Sequence, residues 1–183
     1  MTLANRITVG RLLLIPVFVV LVMAYTREQA WLRFAALGVF LTAAVSDALD
    51  GFVARAYNQK TRLGATLDPL ADKLLTNIAF VFLAVNQEIK APVPSWIPVV
   101  ILSRDVIIVL GVYLIHEYFG PFRPRPRISG KLTTTFQMAS IIAVLLELFF
   151  ARALLYATVI VSIGSFFDYL LAGIRQIGNE DQA

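Results

Sequence analysis

Cysteine is absent from this chain, and histidine occurs once, at His116. The first absence excludes a disulfide framework, a thiolate nucleophile and a sulfur-ligated metal centre. Charge is scarce as well. Asp, Glu, Lys and Arg make up 15% of the 183 residues against 58% apolar, and the mean hydropathy of +0.76 is too high for a soluble domain of this size. An integral membrane protein is expected.

Stretches free of Lys, Arg, Asp and Glu run over 12–26, 34–46, 74–87, 91–103, 106–116, 132–146 and 153–167. Each reaches about 20 residues once flanking or inward-facing polar groups are included. Joining the two stretches around Arg104 and Asp105 leaves six spans, with helices expected at roughly 4–25, 31–57, 65–87, 93–117, 131–150 and 153–176. The predicted fold is all-α, an integral membrane bundle of six transmembrane helices forming a single domain over 1–183. Arg6 and Arg11 ahead of the first apolar run imitate a signal peptide, but no convincing small-residue cleavage site follows and five more spans come after. Pro121, Pro124 and Pro126 forbid a regular helix across the longest internal break.

Basic residues orient the bundle. With the N-terminus inside, Arg6, Arg11, Arg55, Lys60, Arg62, Lys73, Arg123, Arg125, Arg127, Lys131 and Arg175 fall on the cytoplasmic side. Only Arg27, Arg33, Lys90 and Arg152 fall outside, and Arg104 lies within a span. That bias predicts cytoplasmic termini. The sequence pI of 9.6 then points to anionic membrane lipids and phosphate-bearing substrates, not to nucleic acid, because no soluble basic domain is present.

Against this background the stretch from Asp47 to Lys73 carries four aspartates. Asp47 and Asp50 are three residues apart and Asp68 and Asp72 four apart, so each pair shares one helical face. Spans two and three are antiparallel neighbours, and the two pairs can meet near the cytoplasmic surface. One acid in a span costs roughly 2.5 to 3.5 kcal/mol on insertion scales, so four require a counter-charge or a water-filled cavity. Oxygen-only ligands suit Mg²⁺ or Mn²⁺, ions that leave coordination positions for phosphate oxygens. Gly51, Ala54 and Gly64 permit close approach to the backbone, and Arg55 offers a phosphate-pairing fork. The bland alternative pairs the acids with Arg55, Lys60, Arg62 and Lys73 in a solvated loop, with Asp68 capping a helix that begins at Pro69. It explains neither the phasing nor the glycines.

Asp47, Asp50, Gly51, Ala54, Arg55, Gly64, Asp68 and Asp72 reproduce with every spacing intact the signature DxxDGxxARx8GxxxDxxxD, and the chain thereby resembles the CDP-alcohol phosphatidyltransferase family. At roughly 7% abundance per residue, eight fixed positions coincide by chance about once in 10⁹ starts. The likeness extends to Asn5, Thr8 and Arg11, to SRDV at 103–106 and to GKLTTTFQM at 130–138.

The resemblance implies transfer of a phosphatidyl group from CDP-diacylglycerol to an alcohol with release of CMP. It implies a two-metal Mg²⁺ or Mn²⁺ site at Asp47, Asp50 and Asp68, with Asp72 as base and possible further ligand. Gly51, Ala54, Arg55 and Gly64 are then expected to line the cytidine-diphosphate pocket. It also implies a homodimer in a bacterial cytoplasmic membrane, its active site facing the cytoplasm. The acceptor expected is glycerol 3-phosphate, with phosphatidylglycerol the alternative. Members that take glycerol 3-phosphate often carry an Arg where this chain has Val112 and a Lys where it has Thr133, while SRDV and PRPRISGKLTT also resemble members that take phosphatidylglycerol.

Other residues say less. Arg104 and Asp105 read as an inward pair that buttresses the bundle, or as acceptor contacts. Lys131 reads as an acceptor-phosphate contact or a surface marker, Arg123, Arg125 and Arg127 as a lipid-surface patch, and His116 as an ordinary helix-end residue. Glu147 and Asp168 match no motif. Trp31, Phe80, Phe82 and Trp96 are expected to face lipid or the interface. An intramembrane prenyltransferase would need a larger bundle and different aspartate spacing. A divalent-cation transporter would want its acids near the midplane and has no use for the DGxxAR glycine and arginine.

Overall fold

The computed structural model describes the backbone of residues 3–56, 62–119 and 127–180 and the side chains of 10–46, 73–115, 117–118 and 127–174. The apolar runs become six helices: α1 (Leu3–Ala24), α2 (Ala30–Ala56), α3 (Arg62–Val85), α4 (Trp96–Phe119), α5 (Ile128–Leu145) and α6 (Ala151–Glu180). Among the described residues there is no strand. Helix α1 packs on α2 and α3, α6 packs on α4 and α5, and α5 bridges to α2 and α3.

Short connections at 25–29, 86–95 and 146–150 gather at one end of the bundle, termed the turn end. Buried Asn86 closes part of it. Its Nδ2 donates to the carbonyls of Val22 (2.6 Å) and Tyr25 (3.1 Å), and its Oδ1 accepts from the Glu88 N–H at 2.8 Å. The Val22 carbonyl lies in the last turn of α1, where intrahelical partners run out, so a side chain from α3 completes that terminus.

Interior packing follows membrane rules. Lipid is as apolar as leucine, so helices gain little from hiding apolar area and must gain from close van der Waals fit. Ala36, Ala43, Ala79, Ala143 and Ala151 accordingly sit buried between helices, and Ser140 and Thr158 share a 2.7 Å hydroxyl contact across α5 and α6. Phe18 and Phe40 fill the α1–α2 seam with ring centroids 6.0 Å apart. Outward the surface is apolar: Val20, Val99, Val109 and Ile160 are all exposed. Windows long and apolar enough to cross a membrane occur at Trp96–Ile115, Ile128–Leu145 and Ala151–Ile174. Apolar segments within α1, α2 and α3 are shorter over the described residues, at Gly10–Ala24, Ala30–Ser46 and Lys73–Val85.

Two expectations, and the bland alternative for Asp68, need correction. Helix α5 ends at Leu145, not near 150, because Glu147 takes φ 52°. The Leu148 N–H then reaches back to the Ala143 carbonyl and the Glu147 N–H to that of Val144, a Schellman closure with Glu where glycine is usual. Phe80 is wholly buried and not lipid-facing, since it follows Ala79 on the face of α3 turned to the core. Helix α3 starts at Arg62, six residues before Asp68, so Asp68 is no N-cap.

Candidate functional site

Helix α2 runs unbroken through Asp47, Asp50, Gly51, Ala54 and Arg55, and α3 through Gly64, Asp68 and Asp72. Helical backbone at both places gives each aspartate pair the common face that its spacing requires, and α2 and α3 touch. Carboxylates are the donor type that an oxygen-ligated divalent ion takes. The side chains of all eight motif residues lie outside the described residues, as do those of Asn5, Thr8, His116, Arg123 and Arg125. Arg11, on the neighbouring helix α1, is buried.

Immediately beyond Asp72 a described polar network begins. Lys73 Nζ donates to Asp105 Oδ1 at 2.7 Å, Arg104 Nη1 donates to the same oxygen at 2.7 Å, and Asn77 Nδ2 reaches Asp105 Oδ2 at 3.4 Å. Arg104 Nη2 donates to Ser165 Oγ at 2.6 Å, and its guanidinium carbon stands 5.8 Å from the centre of the Tyr169 ring. Arg104 and Asp105 are both buried. Among the described residues one carboxylate and two cations thus bind α3, α4 and α6 together. Lys73, which the bland alternative pairs with the motif acids, is bonded to α4 through Asp105.

At the start of α5 a second network is anchored by Asp168 of α6. Arg127 Nη1 pairs with Asp168 Oδ1 and also donates to the Asp168 carbonyl at 2.9 Å, while Ser129 Oγ donates to Asp168 Oδ2 at 2.6 Å. Arg127 therefore ties α5 to α6 and does not belong to a free lipid-surface patch. Gly130 lies close against Tyr169: a Cβ there would stand 2.7 Å from Tyr169 Oη, so the ring would have to shift. Lys131 next to it is exposed, and Thr133 is buried with its hydroxyl donated to the Ser129 carbonyl at 2.9 Å.

Far from this region, at the turn end, Glu147 collects Arg33 (2.7 Å), Lys90 (3.1 Å) and the Tyr25 hydroxyl (3.1 Å). Burial pushes the Glu147 carboxyl up, but the Lys90 hydrogen bond, the Arg33 charge and the Tyr25 hydroxyl outweigh it and hold the group below its ordinary range. The same burial and the Glu147 charge push the Tyr25 hydroxyl up. This cluster closes the turn end.

Sequence reasoning left Glu147 and Asp168 unassigned and passed over Asn77, Ser129, Ser165 and Tyr169. Their partners lie far away in sequence, Ser129 and Asp168 being 39 residues apart. The one available signal was an acid within an otherwise uncharged stretch.

The sequence model of the CDP-alcohol phosphatidyltransferase family matches residues 1–164. The chain belongs to that family. It is 35% identical over 98% of its length to the whole of a CDP-diacylglycerol–glycerol-3-phosphate 3-phosphatidyltransferase from Aquifex aeolicus. It is 31% identical over 96% of its length to 83% of a probable phosphatidylglycerophosphate synthase from Mycobacterium tuberculosis. A CDP-diacylglycerol–glycerol-3-phosphate 3-phosphatidyltransferase of Escherichia coli is 36% identical over 74% of the chain and 71% of its own length. The protein is therefore a phosphatidyltransferase of phospholipid synthesis, and its family supplies the frame in which the two polar networks are read.

Proposed function

We propose that this chain transfers the phosphatidyl group of CDP-diacylglycerol to glycerol 3-phosphate, forming phosphatidylglycerophosphate and CMP. The observation that carries the reading is the intact eight-residue signature on two helices in contact, in a chain whose relatives bear names with that donor and acceptor. An acceptor hydroxyl attacks the phosphatidyl phosphorus, the bond from that phosphorus to the CMP oxygen breaks, and Asp72 takes the hydroxyl proton. Asp47, Asp50 and Asp68, with Asp72 sharing, would hold Mg²⁺ or Mn²⁺, which when bound neutralises charge on the diphosphate. Gly51, Ala54 and Gly64 leave room for the cytidine diphosphate, and Arg55 pairs with its phosphate.

Arg104 and Lys131 serve the acceptor end. Arg104 does so from within the bundle, held by Asp105 and Ser165, and Lys131 from an exposed position at the start of α5. In this reading all six helices span a bacterial inner membrane, with both termini and the aspartates on the cytoplasmic side and the chain a homodimer. The distribution of Lys and Arg supports that orientation.

A second acceptor, phosphatidylglycerol, giving cardiolipin, is favoured by one feature. Val112 and Thr133 lack the positive charge that a phosphomonoester dianion would use, and the Thr133 hydroxyl is turned to its own helix backbone. Detergent-solubilised protein given CDP-diacylglycerol with each acceptor, and products resolved by mass, tests both. Phosphatidylglycerophosphate at millimolar glycerol 3-phosphate is expected. Cardiolipin with none of that product would reverse the assignment.

A further inference from the structure

Gln137 of α5 is wholly buried, and neither its amide oxygen nor its amide nitrogen has a hydrogen-bond partner. Oδ1 of Asn77 on α3, Nε of Arg104 on α4 and Oγ of Ser162 on α6 are buried and unpartnered too. Three of these residues lie at the same count along their helices from the turn end. Asn77, Arg104 and Gln137 each stand eight residues, about 12 Å of helix, from the turn-end residues Val85, Trp96 and Leu145 of their helices. The Ser140–Thr158 contact sets the antiparallel register of α5 and α6. Three residues on from Ser140 is Gln137, and four on from Thr158 is Ser162.

Among the described residues several other interior polar groups are matched, Asn86 by two carbonyls, Asp105 by three donors and Ser140 by Thr158. A leucine at 137 would avoid burying an amide without partners, so the unmet donors and acceptors mark a place where a polar ligand completes them. Asn77 lies five residues beyond Asp72 on α3, about 7.5 Å deeper along the helix. That is the separation expected between a base and the far side of a small polyol whose reacting hydroxyl has reached it.

We infer that this layer is the floor of the acceptor pocket, and that Gln137, assisted by Ser162, binds the hydroxyl adjacent to the one that reacts. The inference rests on the phosphatidyltransferase reading and narrows it: the acceptor class is a vicinal diol, whether free glycerol 3-phosphate or a glycerol headgroup. Gln137 is a specificity residue because an amide can both donate to and accept from that second hydroxyl, and a site built for a hydroxyl rejects the analogue that lacks it.

The test is a comparison of glycerol 3-phosphate with 3-hydroxypropyl phosphate, which keeps the reacting hydroxyl and the phosphate but lacks the neighbour. Wild-type protein is expected to prefer glycerol 3-phosphate in kcat/KM by at least about tenfold. Gln137→Leu should erase most of that preference by losing activity on glycerol 3-phosphate alone, with an unchanged or higher Tm, and Gln137→Glu should restore part of it. Ser162→Ala, a smaller change, should weaken the preference in the same direction. Equal losses on both acceptors, or no change on either, overturns the inference and leaves the layer a structural one. Wild-type protein that releases no CMP with either compound but does so with phosphatidylglycerol would defeat the glycerol 3-phosphate assignment instead. The same Gln137→Leu comparison would then be run with phosphatidylglycerol and its deoxy headgroup analogue.

Discussion

Lys73 Nζ and Arg104 Nη1 both stand 2.7 Å from one oxygen of Asp105, a buried carboxylate that joins α3 to α4. Removing one partner of a buried ionic cluster leaves the remaining charge uncompensated, which costs about 3–5 kcal/mol. Asp105→Asn is expected to lower the Tm in detergent strongly. Lys73→Met should cost less, Lys73 being partly exposed. In the Asp105→Asn background, Lys73→Met should cost almost nothing or even stabilise. Strictly additive losses would show that Lys73 is not held by Asp105.

In the proposed aspartate site, neutralising one member unbalances the charge that would hold a metal-bound diphosphate. Asp50→Asn is expected to abolish CMP release while leaving a folded membrane protein with wild-type Tm, and activity of the wild type should require Mg²⁺ or Mn²⁺. Asp72→Asn should retain CDP-diacylglycerol binding but lose transfer. Wild-type turnover by Asp50→Asn at limiting Mg²⁺ would remove it from the ligand set, and equal binding loss in both variants would make Asp72 chiefly a ligand.

Gly130 is tight against Tyr169. A methyl group there would meet Tyr169 Oη at 2.7 Å, so Gly130→Ala should cost about 1–3 kcal/mol through overpacking of the α5–α6 seam. Tyr169→Phe should recover most of it by removing the oxygen. A Tm for Gly130→Ala equal to wild type would mean that the helices separate freely at this point.

Acid should loosen the turn end. The folded Glu147 carboxyl titrates below its ordinary value of 4.5, so between the folded and unfolded values the unfolded chain binds more protons. Its contribution to stability is complete above about pH 4.5 and is lost as pH falls through the folded value. A plot of Tm against pH should therefore drop less steeply below that point in Glu147→Gln than in wild type, starting from a lower plateau. Parallel curves would contradict the assignment.

In the proposed site Lys131 is an exposed cation at the acceptor end. A charge-assisted phosphate contact is worth roughly 1.5 to 3 kcal/mol, so Lys131→Ala should raise the KM for glycerol 3-phosphate by about ten- to a hundredfold with kcat little changed. With phosphatidylglycerol, a monoanion held also by its chains, the same change should matter less. An unaltered KM for glycerol 3-phosphate would remove Lys131 from the acceptor site.

Six helices, their approximate bounds and the aspartate motif could be read along the chain because each is a local pattern. An uncharged run makes a helix in lipid whatever surrounds it, and carboxylates three or four residues apart share a face on any helix. The place where α5 stops could not be read. Nothing local distinguishes Glu147 from a helix-continuing residue, and its φ of 52° is held by Arg33, Lys90 and Tyr25, which fold brings in from three other segments. Nor could the partners of Lys73, Arg127 and Asp168 be read, since a charge in sequence carries no address and finds its counter-ion only when helices pack. Phe80 shows the same division: hydropathy put it in the membrane, but whether an apolar side chain in a span meets lipid or another helix is decided by tertiary contact alone, because both surroundings are equally apolar.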